Sequence, residues 1–350
     1  MSDATATDAP QRDPSQSEDD DRDVQPLTPL QRLAGNSTLR TLLILVAIVA
    51  IFSILQFSSF LTVSNIRNIA TDASILLVIA VGMTFVIITA GIDLSVGSVL
   101  VFSGVIGGKL MEQIGGDNWG VVIAGLAACL VAGAAWGIVN GLLITKARVP
   151  PLIVTLGTLG MSLGIAQVIT DGVDLRSVPF TLVGDVGTGD LFGQIPWLVV
   201  IAVVVAVVFG VILAGTRFGR HTYAVGSNVE AALRAGINVD RHLVKIYGLS
   251  GLLAGLAGFL SLARFATTTI GGHDTDNLQA IAAVVLGGTS LFGGLGTVAG
   301  TVIGVFIPIV LANGFVITGV KPFWQEVAVG AVLILAVYLD QLRRRTQYRA

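Results

Sequence analysis

The sequence predicts an all-α polytopic membrane protein of about ten transmembrane helices, some of them broken or re-entrant, with both termini cytoplasmic. Three observations carry that prediction. Of the 350 residues, 53% are hydrophobic and only 12% are charged. A soluble domain carries about 25% charged residues, so a water-facing surface of this size could not be covered. The apolar residues also gather in stretches of about 20 or more, the length a helix needs to cross the hydrocarbon core. Finally, the chain holds 43 glycines, and small residues let helix backbones approach where lipid removes the hydrophobic drive between them.

The chain opens with an acidic tail, residues 1–37. Within it Asp3, Asp8, Asp13, Glu18, Asp19, Asp20, Asp21 and Asp23 face only Arg12 and Arg22 before residue 25. With no apolar face, such a segment is expected to be disordered. Its acidic start, without an apolar core, does not read as a secretory signal. The membrane domain is expected over residues 38–342, followed by a basic cytoplasmic tail, 343–350.

Within that domain the uncharged stretches are Thr41–Ile66, Ala73–Ile92, Trp119–Thr145, Val149–Thr170, Pro196–Thr216 and Ile246–Ala263. Leu94–Gly108 is shorter and reads as a kinked or partial span. Asn277–Val320 is uncharged over 44 residues, too long for one crossing at about 1.5 Å per residue. The cluster Gly293, Gly294 and Gly296 divides it into a short segment near 278–292 and a longer one near 297–317. A last span is expected near 324–340.

Charge fixes the orientation, because cytoplasmic loops collect Lys and Arg. With the N-terminus inside, the inner segments hold Arg32, Arg40, Lys146, Arg148, Arg217, Arg220, Arg234, Arg241, Lys245, Arg343, Arg344, Arg345 and Arg349. The outer segments hold Arg67, Lys109, Arg176, Arg264 and Lys321. The bias favours an even number of spans.

Two spans are interrupted, at Gly91-Ile92-Asp93-Leu94-Ser95 and at Gly287-Gly288-Thr289-Ser290. Irregular backbone at membrane depth survives only where protein or a wet cavity surrounds it, and in many transporters broken helices form the pathway. Asp93, Ser95, Asn140, Gly287, Gly288, Thr289 and Ser290 are therefore the candidate path residues. The competing readings are a simple turn for either break, a bracing role for Asp93 and Ser95, and a packing hydrogen bond for Asn140.

The most informative stretch is polar: residues 217–245, RFGRHTYAVGSNVEAALRAGINVDRHLVK. Asn228 suits the N-cap of a short helix from Val229 to about Ala235. Glu230 in its first turn complements the helix dipole, and Gly236 suits a left-handed C-terminal stop. The helix, about 228–236, lies in a loop that the charge count puts on the cytoplasmic side, where a partner could bind it.

Glu230-Ala231-Ala232-x-x-x-Gly236 resembles the EAA loop of ABC importer permeases. GMTFVIITAGIDLSVGSV (82–99), NGLLITKARVPPLIVTLGTLG (140–160), GRHTYAVGSNVEAALRAGINV (219–239) and LQAIAAVVLGGTSLFGG (278–294) are similar to the monosaccharide branch, the ribose/xylose/arabinose/galactoside-type permeases. The resemblance runs from about residue 40 to 340. The Leu-Pro pair that continues the EAA pattern in other importers is absent. The resemblance implies a homodimer of permeases in the cell membrane, with ATP-binding subunits docked below and an extracytoplasmic sugar-binding protein above. It assigns Gly226, Asn228, Glu230, Ala231, Ala232 and Gly236 to the ATPase-coupling helix.

No Gly-x-x-x-x-Gly-Lys-Ser/Thr loop is present to cradle phosphates, so the expectation is a non-enzyme that binds no cofactor, with ATP and Mg held by the partner. His221, His242 and His273 fall in expected loops, do not form a metal-ligand spacing, and are expected to be solvated. Nucleic-acid binding is not expected, since the inside-positive rule already explains the basic loop. The alternatives are a permease for branched-chain amino acids or another small solute, and a gradient-driven secondary transporter. The last usually carries intramembrane ionisable groups, which are scarce here.

Overall fold

The computed structural model describes residues 37–321 and, beyond them, residues 324, 327, 328, 330, 331, 334 and 338, all seven helical. The expected last span is described only at those positions. The tails, residues 1–36 and 341–350, lie outside the described residues.

The described chain is helical almost throughout: α1 (Ser37–Leu55), α2 (Phe57–Phe60), α3 (Val63–Ile88), α4 (Val96–Ile114), α5 (Trp119–Thr145) and α6 (Pro151–Thr170), then α7 (Trp197–Gly215), α8 (Arg217–Ser227), α9 (Val229–Arg234), α10 (Val239–Phe265), α11 (Asp276–Leu286) and α12 (Val298–Ile317). Between α6 and α7 lie a π-helical turn, Leu182–Gly187, and a two-residue antiparallel ribbon pairing Asp190 with Pro196 and Leu191 with Ile195. Among the described residues, seven helices are long and apolar enough to cross a membrane: α1, α3, α5, α6, α7, α10 and α12. The chain is a polytopic helical membrane protein.

Several boundaries depart from the uncharged stretches; Leu94–Gly108, for one, is exceeded by α4, which runs on to Ile114 through the paired Lys109 and Glu112. Thr41–Ile66 is two elements, because α1 ends at Leu55 and the one-turn α2 and Thr62 intervene before α3. Thr62 caps α3, its hydroxyl accepting from the Asn65 N–H at 3.2 Å. Ala73–Ile92 starts ten residues late, since α3 carries Arg67 and Asp72 inside it. Both charges are paired, Arg67 with Asp190 at 2.5 Å and Asp72 with Arg264 at 3.1 Å. Likewise α10 begins at Val239 rather than Ile246, with Asp240 near Lys146 and Arg148 at 3.7 and 3.5 Å. A charge ends an apolar run in the sequence, but a helix continues through it wherever the charge finds a partner or water.

Helix α3 is the centre. Its apolar window is 94% buried, against 11% for α1, as expected of a helix hydrophobic on every side. Beside it, α10 packs on α5 along a seam of glycines. A Cβ on Gly141 would lie 2.7 Å from the Val244 Cα, and one on Gly133 would meet the backbone of Gly251 and Gly255. The lone Cys129 is fully buried on this seam. On the other flank α1 packs on α12 through Phe52, which stacks edge-on against Phe315 and beside Phe60.

Candidate functional site

Two breaks and one surface helix make up the candidate site. The first break, residues 89–95, follows α3. Asp93 is 1% exposed and its carboxylate is held at three points. Oδ1 accepts from the Ser95 hydroxyl at 2.6 Å and from the Ser95 N–H at 3.0 Å, and Oδ2 accepts from the Ser250 hydroxyl of α10 at 3.0 Å. Asn140 of α5 donates through Nδ2 to the Ser95 oxygen at 2.9 Å. A buried carboxylate is costly unless hydrogen-bonded, and here donors from its own turn and from α10 supply that.

The rest of the break is pinned by other helices. Thr155 of α6 donates to the Ile92 carbonyl at 3.3 Å, and Asn277 of α11 donates to the Leu94 carbonyl at 3.0 Å. Ser162 of α6 reaches Ser98 at 2.9 Å. Gly91 gives room to the buried Tyr247 hydroxyl, which would lie 2.5 Å from a Cβ there. In this conformation Asp93, Ser95 and Asn140 brace a turn rather than line an open surface.

The second break follows α11. This helix spans 11 residues, about 16 Å and so about half the hydrocarbon core. Gly287 packs against the backbone of Gly300 and Thr301, and Gly288 turns the chain at φ +94°. Thr289 is buried and Ser290 N–H donates to the Leu295 carbonyl at 3.0 Å. Gly293, Gly294 and Gly296 all have positive φ. The two breaks touch: Gly294 N–H donates to the Ile88 carbonyl at 2.9 Å.

The surface helix α9 is built as its residues dictate. Asn228 caps it, Oδ1 accepting from the Ala231 N–H at 2.9 Å, and Gly236 ends it at φ +80°. Ala232 is buried against Val225 and Val239, which fixes the helix to α8 and α10. Outward it presents Val229, Glu230, Leu233 and Arg234. The Glu230 and Arg234 side chains are each 83% exposed and 3.7 Å apart.

The base of this unit meets both breaks. Gly226, near the end of α8, lies against the Ile88 carbonyl and the Gly294 nitrogen. The Tyr223 hydroxyl donates to the Gly296 carbonyl at 2.7 Å, and burial pushes its phenol above the usual range. Of the predicted residues, the structure thus joins Gly226 to the 287–296 loop, and Asp93 to Ser95 and Asn140. It leaves Glu230 apart, at the surface.

Two histidines correct the sequence reading. His242 is 5% exposed and its Nε2 lies 3.0 Å from the Thr222 hydroxyl. His273 is 7% exposed and bridges Asp276 to Ser261, at 2.7 and 2.8 Å. Neither is solvated, because each joins a loop or helix start to a polar group on a neighbouring helix. Ser250, Asn277, Thr155 and Tyr223 were missed as well. For Ser250, Asn277 and Thr155 the available signal was a polar residue in an uncharged run, though nothing local told which of them face a break, and Tyr223 lies in the polar stretch 217–245 without that signal.

Residues 65–337 match the family profile described as branched-chain amino acid transport system / permease component. The ribose import permease protein RbsC of Bacillus subtilis is 42% identical over 269 residues, covering 75% of this chain and 80% of that protein. The fructose import permease protein FrcC of Rhizobium meliloti is 36% identical over 276 residues, with coverage of 77% and 75%. The galactose/methyl galactoside import permease protein MglC of Escherichia coli is 35% identical over 292 residues, with coverage of 79% and 85%. No solved structure matches. Because the profile spans both breaks and the surface helix, and the relatives align over three quarters of the chain, this protein belongs to the transport-system permease family to which that profile is assigned.

Proposed function

We propose that this chain is the membrane-spanning permease subunit of an ATP-driven ABC importer, forming the path for a monosaccharide handed over by an extracytoplasmic binding protein. The observation that carries the reading is the shared identity with import permeases for ribose, fructose and galactosides along most of the chain. The geometry supports it: an exposed capped helix rests, through α8, on the ends of two broken helices.

In this reading α9 is the coupling helix. Glu230, Val229 and Leu233 meet the ATP-binding subunit, while Asn228, Ala231, Ala232 and Gly236 shape the helix and Gly226 anchors it. ATP and Mg stay on that subunit, so this chain hydrolyses nothing. Asp93, Ser95 and Asn140 brace one wall of the path, and Gly287, Gly288, Thr289 and Ser290 form the other break. Ten spans, counting α4, α11 and the segment near 324–340, put both termini in the cytoplasm and place the chain in the cell membrane as a multi-pass protein. Two copies, surrounded by lipid, enclose the path.

Affinity purification of the chain from its native membrane, with mass spectrometry of what accompanies it, tests the assignment. Recovery of an ATP-binding subunit and a sugar-binding protein is expected. Purification alone, together with ATP-independent uptake in vesicles, would overturn it in favour of a gradient-driven transporter.

A further inference from the structure

A groove of about 570 Å³ lies between the starts of α5 and α7, outside both breaks and away from α9. Trp119 and Trp197 flank it, and each is the first residue of a helix able to span the membrane. Tryptophan at such a position marks the boundary between headgroups and acyl chains. Below that level the lining is apolar: Val122, Ile123, Leu126 and Ile201. Leu126 lies two turns into α5, about 10 Å below the boundary at about 1.5 Å per residue. At the mouth stand two carboxylates, Asp185 and Asp190. Asp190 is tied to Arg67 at 2.5 Å. Asp185 is exposed, and no ion pair engages it among the described residues.

An apolar floor, aromatic flanks at the boundary and an anionic mouth are complementary to one kind of occupant. From this geometry we infer that the groove binds a zwitterionic phospholipid, with the ammonium end of its headgroup at Asp185 and the upper part of an acyl chain over Ile123 and Leu126. A free sugar is a poor fit, because beyond the two indoles and the two carboxylates, one already paired, the floor is apolar and offers its hydroxyls no partner. An anionic headgroup would meet like charge at the mouth. The occupant is a structural lipid that holds the π-helical turn at Leu182–Gly187 against α5 and α7.

Native mass spectrometry of the detergent-purified protein tests this, with phosphatidylethanolamine and phosphatidylglycerol of identical acyl chains supplied in equal amounts. The wild type should retain the ethanolamine lipid about fivefold over the glycerol lipid, the size expected of about one surface charge. Asp185→Asn should bring that ratio close to one, and Glu112→Gln, which removes a carboxylate outside the groove, should leave it unchanged. Ile123→Trp, which fills the floor, should lower retention of both lipids. Equal retention by the wild type, or a ratio that Asp185→Asn does not move, would overturn the assignment. So would cross-linking of two copies through a cysteine placed at Ile123, because a second copy would then occupy the groove.

Discussion

Gly226, the penultimate residue of α8, lies directly against the backbone carbonyl of Ile88, the last residue of α3. The same carbonyl accepts the Gly294 N–H at 2.9 Å. Three segments far apart in sequence therefore share one oxygen: the central helix, the helix that carries α9, and the loop of the second break. The contact is backbone against backbone at Gly226, with the small side chains of Ala90 and Ser227 beside it.

Gly226→Ala tests that contact. The added Cβ would overlap backbone atoms, not a flexible side-chain end, so the helix must shift. Overpacking of this kind costs about 1–3 kcal/mol. Uptake into vesicles should fall at least about tenfold, while the protein still inserts into the membrane. Uptake equal to the wild type would remove Gly226 from the coupling route.

Asp93→Ala should lower the melting temperature in detergent. It removes the acceptor for the Ser95 N–H and for the hydroxyls of Ser95 and Ser250. An unsatisfied buried donor costs about 1–3 kcal/mol. Asp93→Asn keeps an acceptor oxygen and should lose less. If the two variants melt together with the wild type, the turn is held by its other contacts.

Glu230→Lys separates docking from folding. The Glu230–Arg234 pair is almost fully solvated, and exposed i,i+4 pairs contribute about 0.3–0.5 kcal/mol. Thermal stability should stay within that margin, whereas copurification of the ATP-binding subunit should fall at least about fivefold. Leu233→Asp on the same face should act alike. Unchanged copurification in both would place the docking surface elsewhere.

His273→Ala should loosen the segment between α10 and α11. His273 joins Asp276 to Ser261 across that segment, and Asp174 accepts from the Ile270 N–H at 2.8 Å. Faster deuterium uptake is expected over residues 266–276, with the α5–α10 seam unaffected. Uniform exchange across the protein would mean that the histidine supports the whole fold rather than this segment.

Local chemistry made much of the architecture legible. Runs of apolar residues marked the spans, and the cap at Asn228 with the stop at Gly236 marked α9, because capping depends only on neighbouring residues. The glycines of 293–296 marked a break, since they permit positive φ that other residues resist. The ends of α3 and α10 were not legible in the same way.

The sequence by itself determined that the chain must lie in lipid, roughly where its helices cross, and where two of them break. Composition and period are properties of a single segment, and the bilayer selects among them directly. Only the tertiary structure decided that α3 runs through Arg67 and Asp72, because their partners lie 123 and 192 residues away. Only it brought Ile88, Gly226 and Gly294 to one point, and Asp93 to Ser250 of α10. A buried polar group or a close backbone approach is stabilised by whatever faces it across the packed helices. What faces it is set by how the helices pack against one another, which no short window of sequence contains.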